Sequence, residues 1–299
     1  MEGRESGARD LRAGALPRLA AVPLSATVIL LRDRPGGGFE LFMVRRAFDA
    51  SFMPGAFVFP GGRVDRDDGE VGAICAPIDV ERLDGRLGMG EDSIRSLLVA
   101  GVRECFEEAG VLLADGGALR GEGASGLWLE ERRAVHAGER ALVDLAREHG
   151  LRLAIDRLEP FAHWITPAQR SKRFDAYFLV ARHPDGQSAC HDRSETIDSL
   201  WTTPGEALER HGRRDFPLAP PTFRTLEELA GYADAAAVLD AAPGRALPAM
   251  EPRMRVIGGE LTMLLPGDPL YPPEVDEGVG EGEPTRIVSR GGCWVSERG

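Results

Sequence analysis

Glu104, Glu107 and Glu108 are the residues of this chain best suited to chemistry, and they fall in one short run, Arg-Glu-Cys-Phe-Glu-Glu-Ala-Gly-Val, from 103 to 111. They stand at i, i+3 and i+4, so on a helix turning about 100° per residue they share one narrow face. Three crowded carboxylates repel one another unless basic partners or a divalent cation offset their charge. Oxygen ligands favour a hard ion, so Mg2+ or Mn2+ is expected rather than zinc. The plainer alternative is a solvated acidic helix end closed by Gly110, because charge runs usually face water. Phe59-Pro60-Gly61-Gly62 upstream favours the first reading. Its glycines let a ligand or metal come close to the main chain.

Phosphate-binding candidates are Arg45, Arg46, Arg170, Lys172 and Arg173. Arginine forks match phosphate oxygens in pairs. Among these, Arg46 and Arg173 are the preferred contacts; Lys172 and its neighbours could equally serve to solubilise a turn. His163 beside Trp164 reads as a structural histidine in an apolar strand, with substrate contact as the alternative. Trp201 reads as core or as a platform for substrate. The chain has no H-E-x-x-H, P-loop or G-x-S-x-G, so zinc protease, P-loop NTPase and serine hydrolase chemistry lack support.

These side chains need elements to hold them. Ser25 to Leu31 and Phe39 to Arg46 read as strands joined through Gly36-Gly37-Gly38. Residues 67–92 are rich in Asp and Gly and read as an insertion without a long apolar run. A helix is expected from Asp92 or Ser93, with Ile94, Leu98, Val102 and Cys105 on its buried face and Gly110 as its cap. Residues 116–126 form a glycine-rich loop, and 127–150 read as one charged helical insertion. Strands follow at Phe161–Thr166, Phe174–Ala181 and Glu195–Thr202. Thr203-Pro204-Gly205-Glu206 is a capping box that starts another helix. Residues 221–243 read as a helical extension of two short helices, and Met254–Leu265 as one or two strands. Residues 1–20 read as a flexible arm, 21–265 as one domain, and 266–299 as a Pro-, Gly- and acid-rich tail, extended or disordered in part. Strands alternating with helices predict an α/β/α sandwich around a mixed sheet.

The bulk properties narrow the partners. A formal net charge of −12 argues against a nucleic-acid surface, which needs clustered Lys and Arg. A small anionic nucleotide remains suitable if a few basic residues line one cleft. The four cysteines form no C-x-x-C pair or zinc spacing and read as reduced thiols in a cytoplasmic protein. The N-terminus does not read as a signal peptide, and Ala20–Leu31 is too short and interrupted for a membrane span. The final Glu-Arg-Gly does not read as a peroxisomal address.

With those residues in hand, the chain resembles the Nudix hydrolases, whose signature is G-x5-E-x7-R-E-U-x-E-E-x-G-U with U bulky and apolar. Gly62 matches the opening glycine. Arg103, Glu104, Glu107, Glu108, Gly110 and Val111 match the closing half, with Cys105 at the U position. The resemblance implies Glu104, Glu107 and Glu108 as metal ligands with the Gly61 carbonyl nearby, and Gly62, Arg103 and Gly110 as structural residues of the loop. Arg103 would hold a carboxylate of that loop. The spacing departs from the signature by about 27 extra residues, and Arg95 stands where the isolated Glu belongs, so Glu91 or Asp92 is expected to replace it.

An insertion at this point, with Phe-Met-Pro-Gly-Ala before it, is similar to the acyl-coenzyme A diphosphatase branch, of mammalian peroxisomal type with bacterial relatives. His163–Pro167, Arg173–Asp175 and Leu264–Asp268 extend the resemblance from Ser25 to about Tyr271. A coenzyme A pattern of related enzymes, L-L-T-x-R-[SA]-x3-R-x3-G-x3-F-P-G-G, is matched in part by Arg46, Ala47, Gly55 and Phe59–Gly62. Ser51 replaces its second Arg, and Phe42-Met43-Val44 its leading residues. In other Nudix enzymes a Glu about as far ahead of a strand Trp as Glu195 is of Trp201 reaches the metals. The implied reaction is metal-dependent hydrolysis of a diphosphate in coenzyme A or its acyl esters, with Glu104 the first choice of base and Glu195 the second. ADP-ribose, NADH or another nucleotide is the rival substrate, and a catalytically silent nucleotide binder the rival class. A homodimer is the candidate assembly.

Overall fold

Apolar residues at both parities of a strand call for cover on both faces of the sheet, because successive side chains point to opposite sides. Strand β1 (Leu24–Asp33) has this pattern: Ala26, Val28 and Leu30 enter one core, Ile29 and Leu31 the other. Strand β2 (Phe39–Arg46) repeats it, with Phe42 and Val44 on the first side and Leu41 and Met43 on the second. In the computed structural model, which describes residues 22–51, 53–69, 72–116, 124–272 and 282–299, the result is three layers. The expected arm at 1–20, most of the glycine-rich loop and the middle of the tail lie outside the described residues.

Strands β3 (Phe57–Val58) and β4 (Gly61–Arg63) precede helices α1 (Val80–Leu87) and α2 (Glu91–Glu104). Strand β5 (Ala114–Gly116), helices α3 (Ala124–His136) and α4 (Leu142–Glu148) and strand β6 (Leu151–Leu153) follow. Next come β7 (Glu159–Ile165), β8 (Asp175–Arg182), β9 (Thr196–Thr202) and helices α5 (Pro204–Gly212), α6 (Pro220–Leu229) and α7 (Ala235–Ala241). The chain continues through β10 (Ala249–Met250), β11 (Arg253–Ile257), β12 (Glu260–Leu264), β13 (Arg286–Arg290) and β14 (Cys293–Glu297).

The main sheet is mixed and runs β10-β7-β8-β1-β2-β3, with β4 paired to the start of β1 and β9 to β2. β8 lies parallel to β1 along its length, while β2 and β4 are antiparallel to it. Helices α1 to α4 contribute to the first core, and α5 to α7 to the second. The α/β/α sandwich is therefore present. Helix α2 packs closely on the sheet because Gly101 has no side chain: a Cβ there would stand 3.0 Å from Leu179. Among the described residues no helix is long and apolar enough to cross a membrane.

Three element readings need correction. The stretch 67–92 holds a helix, α1, whose Asp79 cap accepts from the Arg82 amide. The 127–150 segment is two helices, broken where Gly138 takes φ +68°. The tail is not merely extended. β13 and β14 form a hairpin that completes the antiparallel sheet β11-β12-β13-β14. Its turn is Gly291-Gly292, with φ +59° and +89°, the positive pair that a tight two-residue hairpin requires.

Candidate active site

Arg103 and Glu104 end α2, and the chain continues into a wider π-helical turn, Cys105–Ala109, that carries Glu107 and Glu108. The expectation of a regular helix as far as Gly110 is thus corrected by one loosened turn, a feature often found at functional sites. Gly110 closes it at φ +68°, its amide donating to Phe106 O at 3.0 Å.

Although all three glutamates are charged residues, they are nearly inaccessible, at 8, 8 and 3% exposure for Glu104, Glu107 and Glu108. Burial pushes the Glu104 carboxyl up to about 8, against the pull of Arg103 and with a further push from Glu107. Burial and then Glu104 raise Glu108 well above the carboxylate range, while the Gly61 amide and Arg46 pull the other way and Glu195 adds to the rise. Burial also raises Glu107, against the pull of Arg103.

Arg103 is the organising cation. Its Nη1 donates to Glu104 at 2.8 Å and Glu107 at 3.1 Å. Its other face grips Asp68 through Nε at 2.9 Å and Nη2 at 3.0 Å, and Nη2 reaches Arg63 O at 2.7 Å. Burial disfavours the guanidinium charge, but Asp68, Glu104 and Glu107 outweigh that and keep it charged. Asp68 therefore fills the place expected of Glu91 or Asp92, and that expectation is corrected: Glu91 is exposed and pairs with Arg95 at 2.7 Å. Asp68 is 2% exposed and lies in the stretch taken for a plain insertion.

The two glycines are needed for different reasons. A Cβ on Gly61 would lie 2.5 Å from Ala26 O and 2.7 Å from Thr27 Cα, which are backbone atoms of β1. On Gly62 it would lie 2.3 Å from the Glu104 carboxylate. The Gly61 amide donates to Glu108 at 3.0 Å, and Ser25 Oγ holds Gly62 O at 2.7 Å.

A cavity of about 900 Å³ opens at this corner. Its acidic wall holds Glu104, Glu107, Glu108 and Glu195 with Gly61, Gly62 and Arg103; its basic wall holds Arg46, Arg170 and Lys172. Trp164, Met263 and Trp294 supply an apolar side. Two expected phosphate contacts lie elsewhere. Arg173 is committed to Glu251 at 2.7 Å and to Thr166 O at 3.0 Å. Arg45 lies over Phe48 and Phe57 and donates to Gly55 O at 3.2 Å. Neither lines the cavity. Lys172 instead donates to Ser51 at 2.6 Å, so a positive charge from another loop stands at the position where the coenzyme A pattern has its second Arg. His163 pairs with Asp175 at 2.5 Å and stacks on Tyr177, in keeping with a structural histidine.

Sequence reasoning missed Asp68, Trp294, Arg132 and His136. Only Trp294 had a local signal, the strand–Gly-Gly–strand pattern around 291–292. The other three act through partners distant in sequence.

The donor set suits a hard divalent cation: several buried carboxylate oxygens stand beside a glycine main chain, and burial first, with repulsion between the carboxylates second, raises their proton affinity. Among the described residues no three acidic, histidine or cysteine side chains are already drawn together as one ion's ligands, since Glu104 and Glu107 converge on Arg103. Magnesium commonly takes one or two carboxylates and completes its shell with water and phosphate.

Residues 90–229 match the family model described as the NUDT19 Nudix domain. The chain is 28% identical over 318 residues to an acyl-coenzyme A diphosphatase NUDT19 of Gallus gallus, covering 87% of this chain and 82% of that one. With the protein of the same name from Homo sapiens it shares 29% identity, over 80% of this chain and 74% of that one. The crystal structure of a NUDIX hydrolase from Alicyclobacillus acidocaldarius has the same fold, with a TM-score of 0.58 and 24% identity, over 77% of this chain and 98% of that one.

Proposed function

We propose that this chain, which belongs to the Nudix hydrolase superfamily and is a pyrophosphohydrolase, acts on coenzyme A and its acyl esters. The products are adenosine 3′,5′-bisphosphate and (acyl-)phosphopantetheine. One observation carries the reading: a single cavity joins the buried carboxylates, the basic group Arg46, Arg170 and Lys172, and the apolar side of Trp164, Met263 and Trp294. An acyl-coenzyme A has three matching parts, namely a diphosphate, a 3′-phosphate and a long, partly apolar arm. The names of the relatives from Gallus gallus and Homo sapiens support the same substrate. Four cysteines without a disulfide suit a reducing, cytoplasmic setting.

Glu104, Glu107 and Glu108, with the Gly61 carbonyl, would hold Mg2+ or Mn2+. When bound, such an ion supplies charge neutralisation at the diphosphate and a more acidic water. The chain's own residues do the rest. Arg46 and Lys172 orient the phosphates, the apolar side guides the acyl-pantetheine arm, and Arg103 fixes the glutamates. As water oxygen bonds to phosphorus and the bridging oxygen departs with the other phosphate, the water proton passes to a carboxylate. Glu104 is the first choice for that carboxylate, and Glu195 the second. The test is a panel of coenzyme A, acyl esters, ADP-ribose and NADH with Mg2+, the products identified by mass. Adenosine 3′,5′-bisphosphate as the main product is expected. Rapid cleavage of ADP-ribose or NADH with the esters untouched would end the coenzyme A assignment.

A further inference from the structure

Helix α3 lies outside the carboxylate-bearing helix, yet it touches the site at two points one turn apart. Arg132 and His136 stand at i and i+4, which places them on one face. Arg132 is 6% exposed. Its Nε donates to Glu107 O at 2.8 Å, a carbonyl of the last turn that lacks an ordinary partner within the helix. Its Nη2 donates to Cys190 O at 2.9 Å and its Nη1 to Cys190 Sγ at 3.4 Å. The Cys190 amide in turn donates to Ala109 O at 2.9 Å. Gly110 leaves room for this guanidinium, since a Cβ there would be 2.8 Å from Arg132 Nη1.

His136 continues the same line into the site. Its Nδ1 faces Glu107 Oε2 at 3.7 Å, and its Nε2 meets Ser194 Oγ at 2.9 Å and Asp192 Oδ2 at 4.0 Å. His136 Nδ1 and Asp192 Oδ2 are both buried and have no hydrogen-bond partner among the described residues. Asp192 Oδ1 ties down the loop ahead of β9, accepting from the amides of Ser194 at 2.8 Å and Thr196 at 3.0 Å. Between those two residues is Glu195, whose carbonyl accepts from the Ala47 amide at 2.9 Å.

We propose that α3 is a positioning element of the hydrolase, in which Arg132 fixes the main chain of Glu107 and His136 spaces its carboxylate from the loop that carries Glu195. The two carboxylates come from segments far apart in sequence, and the distance of Glu195, the second choice of base, from the metal ligands depends on their separation. Arg132 does not line the cavity and acts through Glu107 and Cys190; His136 does line it, but its contacts run to Glu107 and to the 190–195 loop, and that is the role assigned to it. This rests on the assignment of Glu107 and Glu195 in the preceding section.

The experiment compares the full chain with His136→Ala, His136→Gln, Ser194→Ala, the His136→Ala/Ser194→Ala double variant, Arg132→Lys and Glu107→Gln. Mn2+ binding is read by electron paramagnetic resonance, amide exchange over 190–196 by mass spectrometry, and kcat and KM with the best substrate of the panel. His136→Ala is expected to weaken Mn2+ binding and lower kcat by about 10- to 100-fold, as loss of a group that orients a ligand does. KM should change little, exchange over 190–196 should rise, and His136→Gln should recover part of the loss by donating to Ser194. The Ser194→Ala change should add little to His136→Ala. Should Arg132→Lys fail to fold, the histidine and serine variants carry the test alone. Wild-type Mn2+ binding, exchange and kcat in His136→Ala, or full additivity in the double variant, would overturn the bridge. Glu107→Gln separates the two readings: if it leaves Mn2+ binding and turnover intact, the assignment of the site fails first.

Discussion

On the acidic side of the cavity Glu104, Glu107 and Glu108 are buried and braced: Glu108 by the Gly61 amide, 47 positions away, Glu104 and Glu107 by their neighbour Arg103, and Arg103 by Asp68, 35 positions away. On the basic side Arg170 and Lys172 are exposed, and Lys172 has one hydroxyl partner on Ser51. The acidic side is built from a helix end and a strand pair. The basic side is built from the loop that carries Arg170 and Lys172 and from Arg46 at the end of β2. A charge buried and cross-linked costs much when disturbed, whereas an exposed charge is screened and worth little until a ligand covers it. The contrast separates the reaction, which we assign to the first side, from the choice of substrate, which we assign to the second.

The comparison breaks if the two sides respond alike to mutation. The largest loss is expected for Glu107→Gln and Glu108→Gln, which keep shape and remove charge: turnover falls by about 100-fold or more with the fold intact, measured by steady-state kinetics beside circular dichroism. A near-normal rate in both would show an acidic helix end and nothing more. Asp68→Ala comes next. It leaves Arg103 buried without its bidentate partner, and loss of one partner of a buried pair costs about 3–5 kcal/mol. Urea denaturation should show this, together with slower turnover.

A pH series sharpens the same side. In chelator, the Glu104 carboxyl titrates near 8 in the folded protein against an ordinary value of 4.5. Between those values the folded state holds the extra proton, so stability is highest at the acid end and falls as pH rises toward 8. Mg2+ binds the ionised form and should flatten the slope, while its affinity grows with pH. Thermal midpoints from pH 5 to 9, with and without Mg2+, read both; identical slopes would separate the carboxyls from any ion.

On the basic side, Lys172→Ala should leave kcat nearly unchanged and raise KM for coenzyme A by about tenfold, close to the loss of one charge-assisted hydrogen bond of about 1.5 kcal/mol. Dephospho-coenzyme A should barely notice the change. The smallest effect is expected for Trp294→Ala, a few-fold rise in KM for long acyl esters with less for free coenzyme A. Equal rises for all substrates would place the acyl arm elsewhere.

The acidic side was also the more legible in the sequence. Glu104, Glu107, Glu108 and Gly110 sit within one helical turn or two, where periodicity and a capping glycine speak directly. The capping box at Thr203 and the β1–β2 hairpin were readable for the same reason. Asp68 was not, because its meaning comes from Arg103, 35 positions away, and the residues around it have no period. Helix α1 was hidden by its eight-residue length and its internal Gly85. Arg173 misled because a basic residue beside a strand looks the same whether it meets a phosphate or Glu251. The β13–β14 hairpin did carry a local signal in Gly291-Gly292, but the acidic and Pro-rich composition before it outweighed that signal.

Gly62 has one more consequence, which concerns descent rather than catalysis. Every single-base change in a glycine codon that encodes another residue adds a Cβ, so no point mutation at position 62 preserves the contact with Glu104. At Gly61 the added atom strikes the backbone of β1 and threatens the fold. At Gly62 it strikes the end of a side chain, so a folded protein with a displaced carboxylate is the expected outcome. Such a descendant would keep its cavity and its basic wall. With the roles proposed above, one nucleotide would separate a hydrolase from a protein that holds the same ligand and leaves it whole.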